Sequence, residues 1–446
     1  LPRMGEKSAE KILKQIQAFR RKDQRISIGE ALPAVEEIIA ALRKETGISN
    51  LTAAGSLRRF KETIGDIDLM GATSQPEKVL NAFTHLPQVA EVIGSGGTKA
   101  SVRLRSGLQV DLRIVDDDSF GSLLQYFTGS KEHNVELRER GIRQGLKLSE
   151  YGITVLETGK LEKFIREEDF YKRLGLQYIP PELREARGEI AASERGDIPK
   201  LVELADIKGD LHVHSKWSDG HDSIETMATT AKEMGYQYIA ITDHSQGLGV
   251  ARGLTPERLR QQMAEIEELN RKLKGFRIFT GVELDIRADG SLDLPDEILS
   301  RLDVVVASIH SAMGQEKPKL MDRLRRALSN PNVDVLAHPT CRLLREREPI
   351  DLDIEELFRI ALETGTALEV NAMPARLDLR DIHIFRAREL GVKLALGTDS
   401  HSAAHFQYMR FGMGMARRGW CEPKHLLNTR SAKELARFLG RKGSAA

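Results

Sequence analysis

The second half of the chain contains nine histidines and carboxylates whose types and placement suit metal binding. Most of them end or follow short apolar runs, as in KGDLHVH (208–214), YIAITDH (238–244) and VVVASIH (304–310). A single histidine at a strand end is usually structural, but the same placement on successive strands indicates one shared site. The candidate ligands are His212, His214, Asp219, His244, Glu283, His310, His338, Asp399 and His401.

Nine such groups exceed what one tetrahedral ion needs, so we expect two or three ions, with Glu283 as the bridging ligand. Mixed imidazole and carboxylate ligands suit Zn, Mn or Fe. Ions grouped in this way clamp a phosphate and acidify a water, which is the chemistry of phosphoester hydrolysis. Arg252, Arg342 and Arg345 follow strands and could hold phosphates, although a solvated arginine is the commoner case.

The nine candidates differ in strength, and some other ligand-type residues are not counted among them. Asp219 is the weakest of the nine, because Ser218-Asp219-Gly220 is also ordinary turn chemistry. The remaining ones either face away by strand alternation or fall within a helix or loop. They are His221, Asp243, Asp285, His383, His405 and His425.

A second group of carboxylates lies in the first half of the chain. Asp66 and Asp68 are two residues apart, so on a strand they face the same side, and Asp111 within LQVDLRIV could meet them from a neighbouring strand. Two such carboxylates 4 Å apart repel by about 4 kcal/mol at an effective dielectric near 20. Divalent cations remove this repulsion, and oxygen ligands select Mg²⁺ or Mn²⁺. The alternative for an Asp-x-Asp pair is an exposed strand face.

Residues near the carboxylates suggest a bound triphosphate. Ser56 and Arg59 follow the turn at Gly55 and could hold its phosphates. Tyr126-Phe127-Thr128-Gly129-Ser130 places an aromatic pair before a glycine turn. These rings could pack against a sugar, although aromatic residues more commonly belong to the core.

Length and composition limit the class of protein. The 446 residues predict two to four domains, and 40% hydrophobic with 30% charged residues is typical of a soluble globular protein. The net charge of +1 neither requires nor excludes nucleic acid. No apolar run approaches the roughly 20 residues that span a bilayer, and the two cysteines, Cys341 and Cys421, fit a reducing cytoplasm rather than a disulfide framework.

The element pattern predicts different folds for the two halves. Helical periodicity covers 7–22 and 31–45, and the strands LTAAGSL, DIDLMGA, ASVRLR and LQVDLRIV, with a helix at 76–85, predict an α+β unit. A mainly helical segment follows to residue 180. From 209 to about 440, strands and helices alternate roughly every 30 residues, which is typical of a parallel sheet. Seven strand–helix units can close into a barrel, with reactive residues at the carboxyl ends of its strands.

Taken together, these motifs resemble those of the bacterial family X DNA polymerases, relatives of DNA polymerase beta with a C-terminal PHP (polymerase and histidinol phosphatase) domain. GSLRR, GDID and VDLR look like the palm motifs of this family, and YFTGS like its nucleotide-pocket turn. The resemblance covers nearly the whole chain. It implies a multidomain α+β and α/β fold, with a nucleotidyltransferase-type palm and flanking helical subdomains, followed by a distorted (β/α)7 barrel.

The resemblance also implies roles for individual residues. Asp66, Asp68 and Asp111 would bind Mg²⁺ or Mn²⁺ and form the polymerase site. Tyr126 would screen the sugar 2′ position with Phe127 packed beside it, and Asn134 and Arg138 would reach the incoming nucleotide and the template. The residues expected to contact the nucleotide are Gly55, Ser56, Arg59, Gly65, Tyr126, Phe127, Gly129, Asn134 and Arg138. The nine ligands of the barrel would bind two or three Zn²⁺ or Mn²⁺ ions.

These implications predict the organisation of the chain. The expected domains are a helical DNA-binding subdomain (1–50, a helix-hairpin-helix remnant), the palm (51–128), a nucleotide- and template-binding subdomain (129–180), a linker (181–207) and the PHP domain (208–446). Family members normally begin with a helix-hairpin-helix domain that binds the 5′-phosphate of a gap. We expect that domain to be absent, because LPRMG at residues 1–5 resembles only a late hairpin of this kind.

The predicted function is DNA-directed DNA synthesis in base excision repair, with a 3′–5′ exonuclease in the barrel and, as in some members, an abasic-site endonuclease. The expected partners are gapped or recessed primer-template DNA and deoxynucleoside triphosphates, with no membrane, and we expect a cytoplasmic monomer. One alternative is a histidinol-phosphatase-like phosphoesterase with an attached nucleotide-binding domain. Another is a DNA-binding scaffold without catalysis, which would bind no metal tightly.

Overall fold

The computed structural model describes residues 25–440, so the helix predicted at 7–22 lies outside the described part. The chain forms two compact units that divide between Ile198 and Pro199. Within residues 25–440, no helix combines the length and the apolar character that crossing a bilayer requires.

The helices of the first unit are α1 (Ile28–Thr46), α2 (Gly55–Arg58), α3 (Pro76–Thr84), α4 (Phe120–Thr128), α5 (Lys131–Arg143), α6 (Glu167–Arg173) and α7 (Glu189–Arg195). Its strands are β1 (Ile26–Ser27), β2 (Asn50–Ala53), β3 (Thr63–Ile64), β4 (Ile67–Ala72), β5 (Val89–Gly96), β6 (Lys99–Leu104), β7 (Gln109–Val115), β8 (Leu146–Ser149), β9 (Gly152–Val155) and β10 (Leu161–Glu162).

Five of these strands form a mixed sheet in the order β2-β4-β7-β6-β5. The central pair β4 and β7 is parallel, and the other neighbours are antiparallel. Strand β7 alternates polar and buried apolar residues, as in VDLRI, and β4 does so over Ile67, Asp68 and Leu69, so here one face packs in the core and the other presents carboxylates. The expected α+β unit is therefore present.

Two details of this unit differ from the sequence prediction. The run LTAAGSL is a strand only as far as Ala53, because Gly55 has a left-handed φ of 57° and the next residues form α2. The edge strand β5 was not predicted, since nearly all its residues are exposed and it lacks a buried alternation.

The end of the first unit packs α4, α5, α6 and α7 with the small antiparallel sheet β10-β9-β8. Residues 181–198, assigned from sequence to the linker, belong to this unit, and Arg184 and Glu189 are fully buried in it. Charged residues gave the segment the composition of a linker, but these two are paired inside the fold.

The second unit contains seven strands and eight helices within the described residues. The strands are β11 (Gly209–Val213), β12 (Tyr238–Ile241), β13 (Arg277–Asp285), β14 (Val304–Ser308), β15 (Val335–Leu336), β16 (Ala367–Asn371) and β17 (Leu394–Gly397). The helices are α8 (Ile224–Glu233), α9 (Pro256–Lys272), α10 (Asp296–Leu299), α11 (Lys317–Leu328), α12 (Ile354–Thr364), α13 (Asp381–Leu390), α14 (Met409–Arg418) and α15 (Ala432–Leu439).

All seven strands are parallel and follow one another in chain order from β11 to β17, which confirms the predicted barrel. Side chains join the first and last strands. Asn428 donates to the carbonyls of Gly209 and Leu396, both at 2.9 Å, and Asp210 accepts from the amide of Thr398 at 3.1 Å. Polar side chains thus support the closure of the barrel, and a short stretch of backbone pairing, in which the amide of His214 donates to the carbonyl of Ser400 at 2.8 Å, completes it.

The barrel interior is filled by apolar side chains, including Tyr238, Phe279 and Val306. Leu435 and Leu439 of α15 belong to the same cluster, so the last helix contributes to the barrel core. Because the core is packed, the free side-chain positions are at the carboxyl ends of the strands.

Candidate functional site

The first candidate site lies on the polar face of the mixed sheet. Asp68 of β4 and Asp111 of β7 are direct register partners on parallel strands, as predicted. Burial, together with the nearby charges of Asp66 and Asp111, raises the pKa of Asp68 to about 7. Three carboxylates that interact in this way are suited to divalent cations.

Gly55 makes room for this group. A Cβ atom at position 55 would lie 2.2 Å from Oδ2 of Asp68, and the residue has a left-handed φ of 57°. The backbone turn into α2 therefore passes directly beside the carboxylate. Ser56 lies within this short helix, and Arg59 follows its last residue.

Arg59 is already paired within the protein. Its Nε lies 3.0 Å from Glu185, and its Nη1 donates to the carbonyl of Thr128 at 2.5 Å. Arg58 donates to Thr128 Oγ1 at 2.7 Å and to Glu167 at 2.6 Å. The turn that carries Arg58 and Arg59, here called the arginine turn, is thus fixed to the end of α4, to α6 and to Glu185. The sequence offered no sign of Glu167 or Glu185 as its partners.

Glu167 forms ion pairs with two arginines, Arg58 and Arg184. Burial alone would raise its pKa, but Arg184 and Arg58 outweigh burial and lower the pKa of this carboxyl to about 2. The carboxylate is therefore charged at neutral pH and links α6 to the arginine turn.

The predicted nucleotide-pocket residues lie at the junction of α4 and α5. The rings of Tyr126 and Phe127 contact edge to face with centroids 5.2 Å apart, and Arg113 lies 4.6 Å over Phe127. Gly129 has a left-handed φ of 68°. Asn134 and Arg138 are one helical turn apart on α5, so they share a face.

Of the remaining predicted contacts, Gly65 precedes β4 and lies next to Arg25, where a Cβ atom would come within 3.2 Å of Nη1. The structure therefore brings the three aspartates together with Gly55 and the arginine turn. It places Asn134 and Arg138 on one face of α5, the helix that begins two residues after Gly129.

The second candidate site lies at the carboxyl ends of the barrel strands. Eight of the nine predicted ligands fall into three overlapping groups, within each of which the ligand atoms lie within 4.8 Å of one another. The ninth, His338, has its Nε2 3.0 Å from Oε1 of Glu283. The groups are His214, Asp219, His244 and His401; then His212, His214 and Asp399; then His244, Glu283 and His310.

Glu283 lies at the centre of this cluster. Its carboxylate oxygens are 2.9 Å from His244, 3.2 Å from His310 and 3.3 Å from His212. Burial would raise its pKa, but the surrounding imidazoles lower it well below its ordinary value. A charged carboxylate reached from several sides is what a bridging ligand requires.

The donor atoms of the cluster fit metal ions. Among residues 25–440, buried ring nitrogens of His212, His214, His244 and His338 have no hydrogen-bond partner of acceptable geometry. An unsatisfied buried nitrogen costs about 1–3 kcal/mol. Metal coordination would remove that cost, and so the residues present suit the ions that the sequence predicts.

A β-bulge in β11 directs two histidine side chains toward this cluster. Asp210 pairs with Ile239 and Val213 with Ile241, so three steps on β11 match two on β12. Leu211 before the bulge lies in the barrel core, whereas His212 lies in the cluster. One extra residue reverses the alternation and brings both His212 and His214 into the site.

Two carboxylates missed by the sequence analysis orient the ligands. Glu369 accepts from Nδ1 of His212 at 2.7 Å and from the amide of His338 at 2.6 Å. Asp285, excluded above as facing away, lies 3.5 Å from Nδ1 of His310. The expectation that Asp285 faces away was wrong, because it is two residues after Glu283 on β13 and shares its face. Glu369, within LEVNA, had the same strand-end signal.

Asp243 was also excluded, and it supports the loop that carries Asp219. Its carboxylate accepts hydrogen bonds from the hydroxyl and amide groups of Ser215 and Ser218 and from Gln262. Side-chain bonds thus define the turn that brings Asp219 into the ligand group.

The arginines proposed for phosphate binding are engaged elsewhere. Arg252 donates to the carbonyl of Ser218, and Arg342 is buried and donates to the carbonyl of Leu377. Arg376 was not predicted, yet its Nε lies 3.5 Å from Asp399 Oδ2. Its Nε and Nη1 are buried without a hydrogen-bond partner among residues 25–440.

Comparison with known proteins agrees with this geometry. Residues 123–185 match the family model of the DNA polymerase beta thumb, and residues 210–373 match that of the PHP domain. The chain is 46% identical over 439 residues to the DNA polymerase/3′-5′ exonuclease PolX of Bacillus subtilis (strain 168), covering 98% of this chain and 77% of that protein.

Other relatives are similar to only part of the chain. A probable phosphatase of Thermoanaerobacter sp. (strain X514) is 32% identical over 205 residues, which cover 43% of this chain and 78% of that protein. A probable phosphatase of Syntrophotalea carbinolica is 29% identical over 242 residues, which cover 52% of this chain and 95% of that protein.

We predict that Asp68→Asn stabilises the metal-free protein above pH 7. The pKa of Asp68 is raised from 3.8 to about 7, so its charged form is disfavoured by folding. Stability is then lost as the pH rises from 3.8 to 7 and stays lower above that, and the amide variant avoids this loss. In the presence of a metal chelator, the unfolding temperature of Asp68→Asn at pH 8 should be several degrees above that of the unchanged protein. At pH 4 the two unfolding temperatures should differ little.

The matched control is Asp116→Asn, which changes an exposed aspartate that follows β7. It should leave the unfolding temperature within about a degree of the unchanged protein at both pH values. Equal shifts from the two variants would contradict the account of Asp68.

We also predict that Glu369→Gln weakens metal binding in the barrel by about 10- to 100-fold, because such a partner orients its histidine ligand. Equilibrium dialysis with Zn²⁺ or Mn²⁺ measures the affinity, and circular dichroism checks the fold. Glu363→Gln, at an exposed residue paired with Arg325, is the control. An unchanged affinity in Glu369→Gln would show that His212 is oriented without it.

Proposed function

The chain belongs to the PolX family of DNA polymerase/3′-5′ exonucleases, and we propose that it uses two separate sites for these activities. One extends DNA primers at Asp66, Asp68 and Asp111. The other removes nucleotides from 3′ ends at the barrel cluster. The observation that carries the proposal is the presence of both ligand sets in one chain that matches PolX over 98% of its length.

In the polymerase site, Asp66, Asp68 and Asp111 would hold Mg²⁺ or Mn²⁺. These ions supply positive charge where the triphosphate and the primer end meet. Ser56, at the start of α2, and Arg59 would bind phosphate oxygens, with Gly55 and Gly65 allowing close approach of the backbone.

The nucleotide itself would lie against the junction of α4 and α5. Tyr126 and Phe127 would border its sugar, next to Gly129, and Asn134 and Arg138 would contact the incoming nucleotide and the template. The location of these five residues on two adjoining helices supports this assignment.

In the barrel, the nine ligands would hold two or three Zn²⁺ or Mn²⁺ ions. These ions polarise the phosphodiester and acidify water. Arg376 would bind an oxygen of the terminal phosphate, because its Nε lies 3.5 Å from Asp399 of the cluster and its Nε and Nη1 have no hydrogen-bond partner among residues 25–440. Glu369 and Asp285 would keep His212 and His310 in place.

We propose the five-part domain arrangement predicted from the sequence, with one change. Residues 181–198 are assigned to the nucleotide- and template-binding subdomain instead of the linker. The substrates would be gapped or recessed DNA and deoxynucleoside triphosphates, used in base excision repair in the cytoplasm. An abasic-site endonuclease activity would use the same metal cluster of the barrel. The predicted monomer also remains a proposal.

A second candidate activity for the barrel is the hydrolysis of small phosphate monoesters. The observations in its favour are the match of residues 210–373 to the PHP domain model and the similarity of about half of the chain to proteins named probable phosphatases. Parallel assays with histidinol phosphate and with end-labelled single-stranded DNA distinguish the two activities, and we expect the DNA substrate to be the better one.

We predict that the two activities can be removed separately. Asp66→Ala with Asp68→Ala should abolish primer extension and leave nuclease activity, whereas His310→Ala or Asp399→Ala should do the reverse. Primer-extension and exonuclease assays on the same preparations measure this. A folded variant that loses both activities would refute the assignment of two sites.

We predict that Arg376→Ala lowers kcat/KM of the nuclease by roughly 10- to 100-fold, since hydrogen bonds to charged groups contribute about 1.5–3 kcal/mol. Arg376→Lys, which keeps the charge, should lose less. Bound metal and primer extension should not change. Arg386→Ala, at an exposed arginine paired with Glu355, is the control. A loss of bound metal in Arg376→Ala would mean that the arginine supports the ligands instead of the DNA.

A further inference from the structure

The loop between β12 and α9 presents one apolar side chain to solvent. Val250 is 92% exposed, whereas Ile142, the next most exposed large apolar side chain among residues 25–440, is 64% exposed. The neighbouring Ala251 is buried. A single exposed apolar side chain is common on protein surfaces, so only its location can give it a role.

Hydrogen bonds close the base of this loop. The amide of Leu254 donates to the carbonyl of His244 at 2.7 Å, and the amide of Gly247 donates to the carboxylate of Asp293 at 2.6 Å. The two ends of the loop therefore meet at a predicted metal ligand, His244. Val250 lies at the tip of a loop whose base is fixed.

The loop also contacts the turn that carries the ligand Asp219. Arg252 donates to the carbonyl of Ser218, the residue before Asp219. Arg258 of α9 in turn donates to the carbonyl of Arg252 at 2.7 Å. Val250 is thus two residues away from a direct contact with the ligand turn, at the rim of the metal cluster.

The metal cluster is open to solvent on the side of this turn. The side chains of Asp219 and His401 are 35% and 25% exposed, whereas that of Glu283 is 1% exposed. Lys216, in the same turn as Asp219, is exposed. A strand of DNA that enters here meets a positive charge suited to its phosphates.

We propose that Val250 packs against the face of a nucleobase near the 3′ end of single-stranded DNA while the phosphodiester lies at the barrel cluster. An unpaired base near the end of a strand exposes a flat apolar face, and apolar side chains pack against such faces. The contact does not depend on which base is present, so it suits all four nucleotides. The inference rests on the proposed nuclease function and adds a substrate contact outside the metal ligands.

The size of the apolar tip favours a base over a protein partner. A stable protein interface covers about 800 Å² on each side, which one valine does not supply. One side chain does match the face of one base. The position of Val250 beside the open side of the cluster places that base close to the bond that would be cut.

The test measures removal of the 3′-terminal nucleotide from single-stranded DNA labelled at its 5′ end. One substrate is unmodified, and the others carry a tetrahydrofuran residue, which has no base, at the last, second-last or third-last position. Product length distinguishes release of the terminal nucleotide from internal cleavage. For the unchanged protein we expect kcat/KM to fall about 5- to 10-fold at one of these positions, the scale of partly burying an apolar side chain.

Val250→Ser removes the apolar contact and leaves the rest of the loop unchanged. Its kcat/KM on unmodified DNA should fall about 5- to 10-fold, and the loss caused by the missing base should shrink to less than about twofold, because the two changes remove the same contact. Val250→Leu keeps an apolar tip and should keep the dependence on the base. Leu362→Ser, at an exposed apolar residue of α12, is the matched control and should behave like the unchanged protein. Bound metal should be equal in all of these proteins.

The possible results separate this inference from the proposed function. The inference is overturned if Val250→Ser has no effect, or if it lowers kcat/KM by the same factor with and without the base. It is also overturned if the unchanged protein degrades every substrate equally well. If the unchanged protein does not degrade single-stranded DNA at all, the proposed nuclease function itself fails, and the inference fails with it.

Discussion

Close packing of ionisable side chains at strand ends is the constraint on which both candidate sites depend. In the barrel, Glu283 lies within 3.3 Å of four different imidazoles, and several buried ring nitrogens have no hydrogen-bond partner among the described residues. In the mixed sheet, the half-buried Asp68 lies beside two further aspartates, whose charges help to raise its pKa. Repulsion between carboxylates and unsatisfied buried nitrogens are both costly, so cations are the natural means of stabilising these groups.

The backbone supplies the space and direction that these groups need. Gly55 leaves room for the Asp68 carboxylate, and Gly397 does the same for Glu369, whose Oε1 would lie 2.1 Å from a Cβ atom there. His338 and Asp399 adopt left-handed φ values of 27° and 55°, which for residues other than glycine are strained. A stable barrel core, closed by Asn428 and Asp210, tolerates this local strain.

Outside the aspartate site, the first unit uses buried charge differently. Glu167, Arg184 and Arg58 form an ion-paired group, and Glu189 with His133 forms another. Each buried charge has a partner, so no metal is needed to satisfy it. Because hydrogen bonds have a donor and an acceptor end, such networks also determine which way an amide or a ring faces.

The sequence by itself determined the fold class, the seven-stranded parallel barrel and the family, because periodicity and motif order are local properties of the chain. It also identified the nine barrel residues that the structure brings together. It did not predict the bulge in β11, Asp285 and Glu369 as partners of ligands, or the burial of Arg184 and Glu189. Those features depend on contacts between residues far apart in the chain, such as His212 with Glu369 and Arg58 with Glu167. Only tertiary structure decides them, because strand alternation and composition specify which face a residue occupies but not which side chain it meets there.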